Sequence, residues 1–409
     1  MSQQSTLPSG WDVHRFDEIA ESINERILPE DADGLLYVGL EHLEPESLKI
    51  RQWGTPDDVD AQKLRFYPGD IIFGKRRFYQ RKLAVAEFDG ICSAHAMVLR
   101  AKSDVVLPEF FPFFMQSEEF FRRAMSISVG SLSPTINWRT LARQKFALPP
   151  MDEQQRIAEI LWSVEKTYRS YDVSLSDAIR AKDSLLTRLT LQGQDVHDFQ
   201  HSKIGDIPKH WRLATIGDVL ESSQYGLSVR ADDEGKYPIF RMMNIEDGVI
   251  VENDMKYVDL TPSEFDSYSL MPGDILFNRT NSIDLVGKVG IYRLEGNHVF
   301  ASYLIRLRAD RDHIIPEYMN YYLNSKLGQH QIRRYITAGV SQANVNATNL
   351  QRVLIPLPPI EEQNIAVNTL AEFDDNILHI REHLEELQAL KRYLISSILE
   401  NYQIEALHV

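Results

Sequence analysis

The densest run of interaction chemistry is Lys75-Arg-Arg-Phe-Tyr-Gln-Arg-Lys82, five basic side chains in eight residues with Phe78 and Tyr79 between them. Lys75, Arg76, Arg77, Arg81 and Lys82 can hold phosphates, and arginine can also grip guanine through two hydrogen bonds. Tyr79 adds a flat amphipathic ring. A second polar run, Asn278-Arg-Thr-Asn-Ser282, with Lys288 beyond it, carries the complementary set. Asn278 and Asn281 can pair adenine, while Arg279, Thr280 and Ser282 can reach guanine or phosphate. Two further loops offer mostly neutral hydrogen-bonding groups: Ser131, Ser133, Thr135 and Asn137 in the first, Ser341, Gln342, Asn344 and Asn346 in the second. A solvated turn is the plain alternative for each.

Catalytic signatures are missing. The sequence holds no Gly-x-x-x-x-Gly-Lys-Ser/Thr phosphate loop and no Gly-x-Gly-x-x-Gly opening a nucleotide-binding unit. It also lacks the Asn- or Asp-Pro-Pro-aromatic run of an amino-methyltransferase. Glu234-Gly-Lys236 after Asp232-Asp233 is too short a match to a nuclease cluster to count. His379-Ile-Arg-Glu-His383 fits the zinc-hydrolase pattern His-x-x-Glu-His on a helix. A metal-dependent hydrolase is therefore one alternative. Apolar positions running through that segment favour two solvated histidines instead, so no catalytic and no metal residue is assigned.

The 409 residues suggest two to four domains. No stretch approaches the ~18 apolar residues of a membrane span, the N-terminus lacks a secretory pattern, and Cys92 stands alone. A reducing cytoplasm is the expected location. The net charge of −15 argues on its face against nucleic acid. Its distribution argues otherwise. Residues 12–60 carry 14 acids and 4 bases, whereas residues 63–102 carry 9 bases and 3 acids, a local excess of +6. Charges beyond ~8 Å are largely screened, so a polyanion feels the local field.

The chain is written twice. Leu7-Pro-Ser-Gly-Trp11 answers Ile207-Pro-Lys-His-Trp211, and Pro68-Gly-Asp-Ile-Ile-Phe73 answers Pro272-Gly-Asp-Ile-Leu-Phe277. Leu99-Arg-Ala101 answers Leu307-Arg-Ala309, and Leu148-Pro-Pro150 answers Leu357-Pro-Pro359. The matches stay collinear while the offset drifts from 200 to 209. Each half reads as short strands (Ile71–Phe73, Leu83–Phe88 and Ala96–Arg100; Ile275–Phe277, Val289–Tyr292 and Tyr303–Leu307). One helix follows (Glu109–Ser126; Glu317–Ile336), then the polar loop and a long helix.

Each long helix opens after Pro-Pro with a pair of acids, Asp152-Glu153 and Glu361-Glu362, suited to the positive end of its dipole. In the first, Leu161, Val164, Tyr168, Tyr171, Leu175, Ala178, Lys182, Leu185 and Leu189 alternate by three and four. In the second, Ile377, Ile380, Leu384, Leu387, Lys391, Leu394 and Ile398 do the same. This is a coiled-coil seam, and a lysine in it can fix register. Two helices of about 40 residues, roughly 60 Å long, can bury each other. A pseudo-twofold axis would make them antiparallel, with a reading domain at each end. One detail predicts a local phase difference. Asp152-Glu-Gln-Gln-Arg-Ile-Ala158 holds one residue more before Ile-Ala than the second junction does.

These residues carry a resemblance. Ile204-Gly-Asp-Ile-Pro-Lys-His-Trp211, both Pro-Gly-Asp-Ile blocks, both Leu-Pro-Pro junctions, and above all Ile355-Pro-Leu-Pro-Pro-Ile-Glu-Glu-Gln-Asn-Ile-Ala366 resemble the specificity subunit of type I restriction–modification systems. The resemblance implies an α+β chain with two similar target-recognition domains and two long helices in an antiparallel coiled coil. It implies a bipartite, asymmetric double-stranded DNA target with a non-specific gap. It also implies two modification subunits that bind S-adenosylmethionine and methylate adenine N6, and restriction subunits that use ATP and magnesium. This chain would itself be non-catalytic and free of cofactor. The expected organisation is a first recognition domain at 1–151, a helix at 152–192, a linker at 193–206, a second recognition domain at 207–360 and a helix at 361–403. A coiled-coil protein scaffold that never meets DNA is the other alternative.

Overall fold

A computed structural model describes residues 7–194, 196–283, 285–338 and 342–399. The chain divides into two compact units. Unit one is Met1–Asp172 with Glu382–Val409, and unit two is Val173–Arg381.

In unit one, an antiparallel sheet runs Ala20–Ile23, Met97–Ala101, Ile71–Phe73, Leu83–Val85. A second four-stranded sheet runs Arg26–Ile27, Lys63–Phe66, Gly90–Cys92, Leu36–Val38. The core between sheet and helices is phenylalanine-rich: Phe16, Phe73, Phe110, Phe113, Phe120 and Phe146 are buried together. Leu161 of the first long helix and Ile395 of the second belong to the same core.

Unit two repeats the plan with a larger sheet. Its order is Leu220–Tyr225, Leu304–Ala309, Ile275–Asn278, Val289–Ile291, Val249–Ile250, Ile245–Glu246. The register agrees between units, with Ile71 opposite Leu99 and Ile275 opposite Leu307. The repeated Pro-Gly-Asp and Leu-Arg-Ala blocks explain each other here. Arg100 clamps buried Asp70 with two hydrogen bonds of 2.7 and 2.9 Å, and Arg308 clamps buried Asp274 with bonds of 2.9 and 3.2 Å. The same carboxylates accept the Tyr67 and Met271 amides at the turn.

Two sequence expectations are corrected within the units. Each single mid-domain helix is two: Phe111–Met115 and Glu118–Ser126, then Pro316–Asn324 and Lys326–Arg333. Ser117 and Ser325 sit at the breaks in extended backbone and accept the Phe120 and Gly328 amides, so each serine caps the second helix. The stretch expected as a plain linker holds a hairpin, Phe199–Ser202 paired with Gly205–Pro208.

The long helices run Met151–Leu191 and Ile360–Leu399. Residues 400–403 of the expected second helix lie outside the described residues. Gly193 ends the first helix at φ +70°, its amide returning 3.0 Å to the Arg188 carbonyl. The expected difference stays local. Ile157 and Ala158 are both buried, whereas Ile365 is exposed and Ala366 buried. The Ile-Ala pair thus sits one position earlier on the second helix, while the helices themselves stay in register. Gln154 accepts the Leu107 amide and donates to the Val105 and Pro149 carbonyls; Gln363 accepts the Ile315 amide and donates to the His313 and Pro358 carbonyls. These matched glutamines set one helical phase, and Leu161 matches Leu370 in core burial.

Within unit one the two long helices touch along an antiparallel seam. Glu165 meets Lys391, Tyr168 meets Gln388, and the Tyr171 ring lies 5.3 Å from that of His383. Val164, Leu387, Leu394 and Ile398 are half-buried there, and Leu384 is buried. In unit two Lys182 pairs with Asp374, which also accepts the Tyr321 hydroxyl at 2.6 Å. Leu189 and Ile377 are buried in that unit, and Leu175, Leu185 and Ile380 half-buried.

Candidate nucleic-acid interface

In unit one the basic tip and the polar loop are brought together. Arg76 bridges Thr135, the Ile136 amide donates to the Lys75 carbonyl at 3.1 Å, and the Arg77 amide donates to the Pro134 carbonyl at 2.9 Å. Unit two builds the same junction from different residues. Thr280 pairs with Asn344, and the Val345 amide donates to the Arg279 carbonyl at 2.9 Å. A backbone scaffold is thus kept while the side chains on it differ.

The tip of unit one is shaped by a short turn, Phe78–Gln80, with buried Phe78 as its anchor. Arg77 and Arg81 flank it, each in left-handed backbone at φ 53°. This turn sorts the five bases. Arg76 and Arg77 are exposed. The Arg77 Nε donates to Ser133 Oγ at 3.4 Å, and Arg76 lies 3.2 Å from the His95 ring nitrogen. Lys75 is half-buried, and burial, with Arg26 nearby, lowers its pKa. Arg81 stacks on Phe121 and pairs with Glu118, while Lys82 donates to the Leu40 carbonyl at 2.8 Å. Tyr79 is half exposed.

The wider basic island is engaged in the same way. Arg65 pairs with Asp89, Arg100 with Asp70, and Lys102 donates to the Asp17 carbonyl. Only part of the +6 excess therefore faces solvent as free charge, because buried and half-buried cations need partners. Of the loop residues, Ser131 and Asn137 are exposed, and Ser133 and Thr135 are half-buried.

In unit two the expected reader Asn278 is corrected. It is fully buried, and its side-chain amide donates to the Leu285 carbonyl at 3.2 Å, closing the turn it opens. Arg279 is half-buried over the Tyr225 ring at 4.9 Å and donates to the Ser302 carbonyl. Thr280 accepts from the Asn344 side chain at 2.6 Å, and Asn281 accepts the Ser282 amide. Ser282, Lys288, Gln342 and Asn346 are exposed, though Asn346 also caps the helix Ala347–Leu350. Ser341 lies outside the described residues.

Sequence reading passed over Leu132. Among the described residues it is the most exposed large hydrophobic side chain, at 93%. Its signal was available: one apolar residue in an otherwise small and polar loop.

The zinc-hydrolase alternative gains nothing here. His379 and His383 are exposed, and His383 lies 3.2 Å from Glu386. Among the described residues no group of three His, Cys, Asp or Glu side chains gathers for a metal. Among them, too, no helix is long and apolar enough to cross a membrane.

The model of the type I restriction modification DNA specificity domain matches residues 8–171 and 208–389. Over 216 residues the chain is 34% identical to the putative type I restriction enzyme MjaX specificity subunit of Methanocaldococcus jannaschii, covering 51% of this chain and 50% of that protein. It is 23% identical over 364 residues to the EcoKI specificity subunit of Escherichia coli, covering 84% of this chain and 76% of the relative. The match thus spans half the length of the first relative and about three quarters of the second. Among solved structures, the S subunit of the type I restriction–modification system from M. genitalium aligns with a TM-score of 0.57 at 12% identity, over 98% of each chain. A chain from work on complex assembly and conformational transition of the type I R-M system aligns at 0.58 and 22% identity, over 97% of this chain and 98% of that one. These two likenesses concern the fold.

Proposed function

This chain belongs to the type I restriction–modification DNA specificity family, and from that premise we propose that it reads a bipartite, asymmetric duplex site, one half-site per unit. Recognition of DNA sequence is the family's work. The observation that carries the finer reading is the repeated junction, Arg76 with Thr135 and Thr280 with Asn344, on which unlike side chains are displayed. Two like scaffolds with unlike readers suit two half-sites of different sequence. Arg76, Arg77, Ser131 and Ser133 are the first reader's candidates. Thr280, Ser282, Lys288, Gln342 and Asn344 are the second's.

The chain itself does no chemistry in this reading. It holds two modification subunits on the site, and those subunits supply S-adenosylmethionine and methylate adenine N6. Restriction subunits, where they join, bring ATP and magnesium. Methylome sequencing of a host carrying the system is the direct test. It should return N6-methyladenine in one interrupted, non-palindromic motif that disappears when this chain is deleted. A motif that survives the deletion, or the absence of any motif, would favour the scaffold that never meets DNA.

A further inference from the structure

The loop Gly130–Pro134 of unit one is pinned from both sides. Val129 and Thr135 exchange amide hydrogen bonds of 3.1 and 3.0 Å, and the basic tip grips Pro134 and Ile136 through Arg77 and Lys75. Gly130, at φ +107°, starts a turn that an L side chain would strain. At the apex of this loop, fixed at both ends, stands Leu132, almost wholly in water. Ser131 and Ser133 flank it, and Arg77 reaches Ser133.

A single exposed leucine usually needs no explanation. Its position here gives it one. Cations one loop away match a polyanion, and Leu132 with Val129 at the base of its loop, 67% exposed, still makes an apolar tip far smaller than the ~800 Å² per partner of a stable protein interface. A loop fixed before binding loses little entropy when it docks. Among base edges in the major groove, the thymine 5-methyl is the apolar feature, and the minor groove offers none. We propose that Leu132 packs against the 5-methyl group of a thymine in the half-site read by unit one, which makes it a specificity-determining residue. The inference rests on the reading of unit one as a DNA reader.

The test uses the full chain purified with its methyltransferase partner. Wild type and Leu132→Ala select sites from random duplex libraries made with thymidine or with deoxyuridine. The exposed position makes the variant fold normally, checked by its melting curve. Wild type should prefer thymine over uracil about fourfold at one position of one half-site, the effect of one buried methyl group. L132A should lose that preference at that position and keep the rest of the motif. Equal thymine preference in wild type and L132A would overturn the assignment, as would indifference of wild type to uracil throughout. A rise in 2-aminopurine fluorescence that needs Leu132, without any thymine–uracil difference, would overturn it too, since that marks a wedge between base pairs. If wild type selects no motif at all, the parent reading fails along with this one.

Discussion

The five bases of the first tip are unequal, and that inequality is what the sequence hides. Composition counts charges; it does not say which ones already have partners. Arg81 and Lys82 are engaged by Glu118 and the Leu40 carbonyl, whereas Arg76 and Arg77 stand exposed. Replacing both arginines by alanine should weaken binding to duplexes carrying the first half-site. It should also lower the salt slope by up to about one unit for each phosphate no longer neutralised. Lys82→Ala should leave the slope unchanged. Binding titrations over a salt series separate the two. In the second tip, spacing alone made Asn278 and Asn281 look alike. One side chain closes a buried turn and the other is half-exposed, a distinction made by three-dimensional burial that no spacing carries.

At the scale of elements, the repeat and both long helices were legible because hydrophobic period and Pro-Pro junctions are local signals. The serine breaks were not, since Ser117 and Ser325 interrupt otherwise continuous helical patterns. Ser325→Ala should cost about 1 kcal/mol, the usual effect of removing an N-cap, read as a shift in urea midpoint. The seam lysines were visible, but their partners were not. Lys391 is buried against Glu165, with 11% and 5% of the side chains exposed, and also donates to the Glu46 carbonyl. Lys391→Met alone should destabilise by on the order of 2–3 kcal/mol, because buried Glu165 then keeps only Arg169, 3.6 Å away, as a cationic neighbour. Adding Glu165→Leu should restore most of it, and equilibrium unfolding of the two variants checks this. Asp218 gives a pH signature. Its carboxylate accepts the Thr215 amide and hydroxyl, which hold its pKa below the ordinary value. A depressed native pKa adds stability above the unfolded pKa, and that stability disappears as pH falls through the native one. The stability gap between wild type and Asp218→Ala should therefore be full at pH 7 and close in acid.

At the scale of the whole molecule, unit one is not a continuous stretch of chain, whereas unit two is. Unit one is closed by residues 382–399, and Ile395 is buried in its phenylalanine core, with Leu394 and Ile398 packed against it. A chain stopped after Arg381 should therefore damage the N-terminal domain. Limited proteolysis should cut residues 7–172 faster in that truncation than in the intact protein. The same feature sets an order of events on the ribosome. The first recognition domain emerges early yet lacks part of its interior until all of residues 173–381 have been translated. The side of its phenylalanine core that Ile395 covers stays open through that interval, which makes the nascent first half the stage most in need of a chaperone.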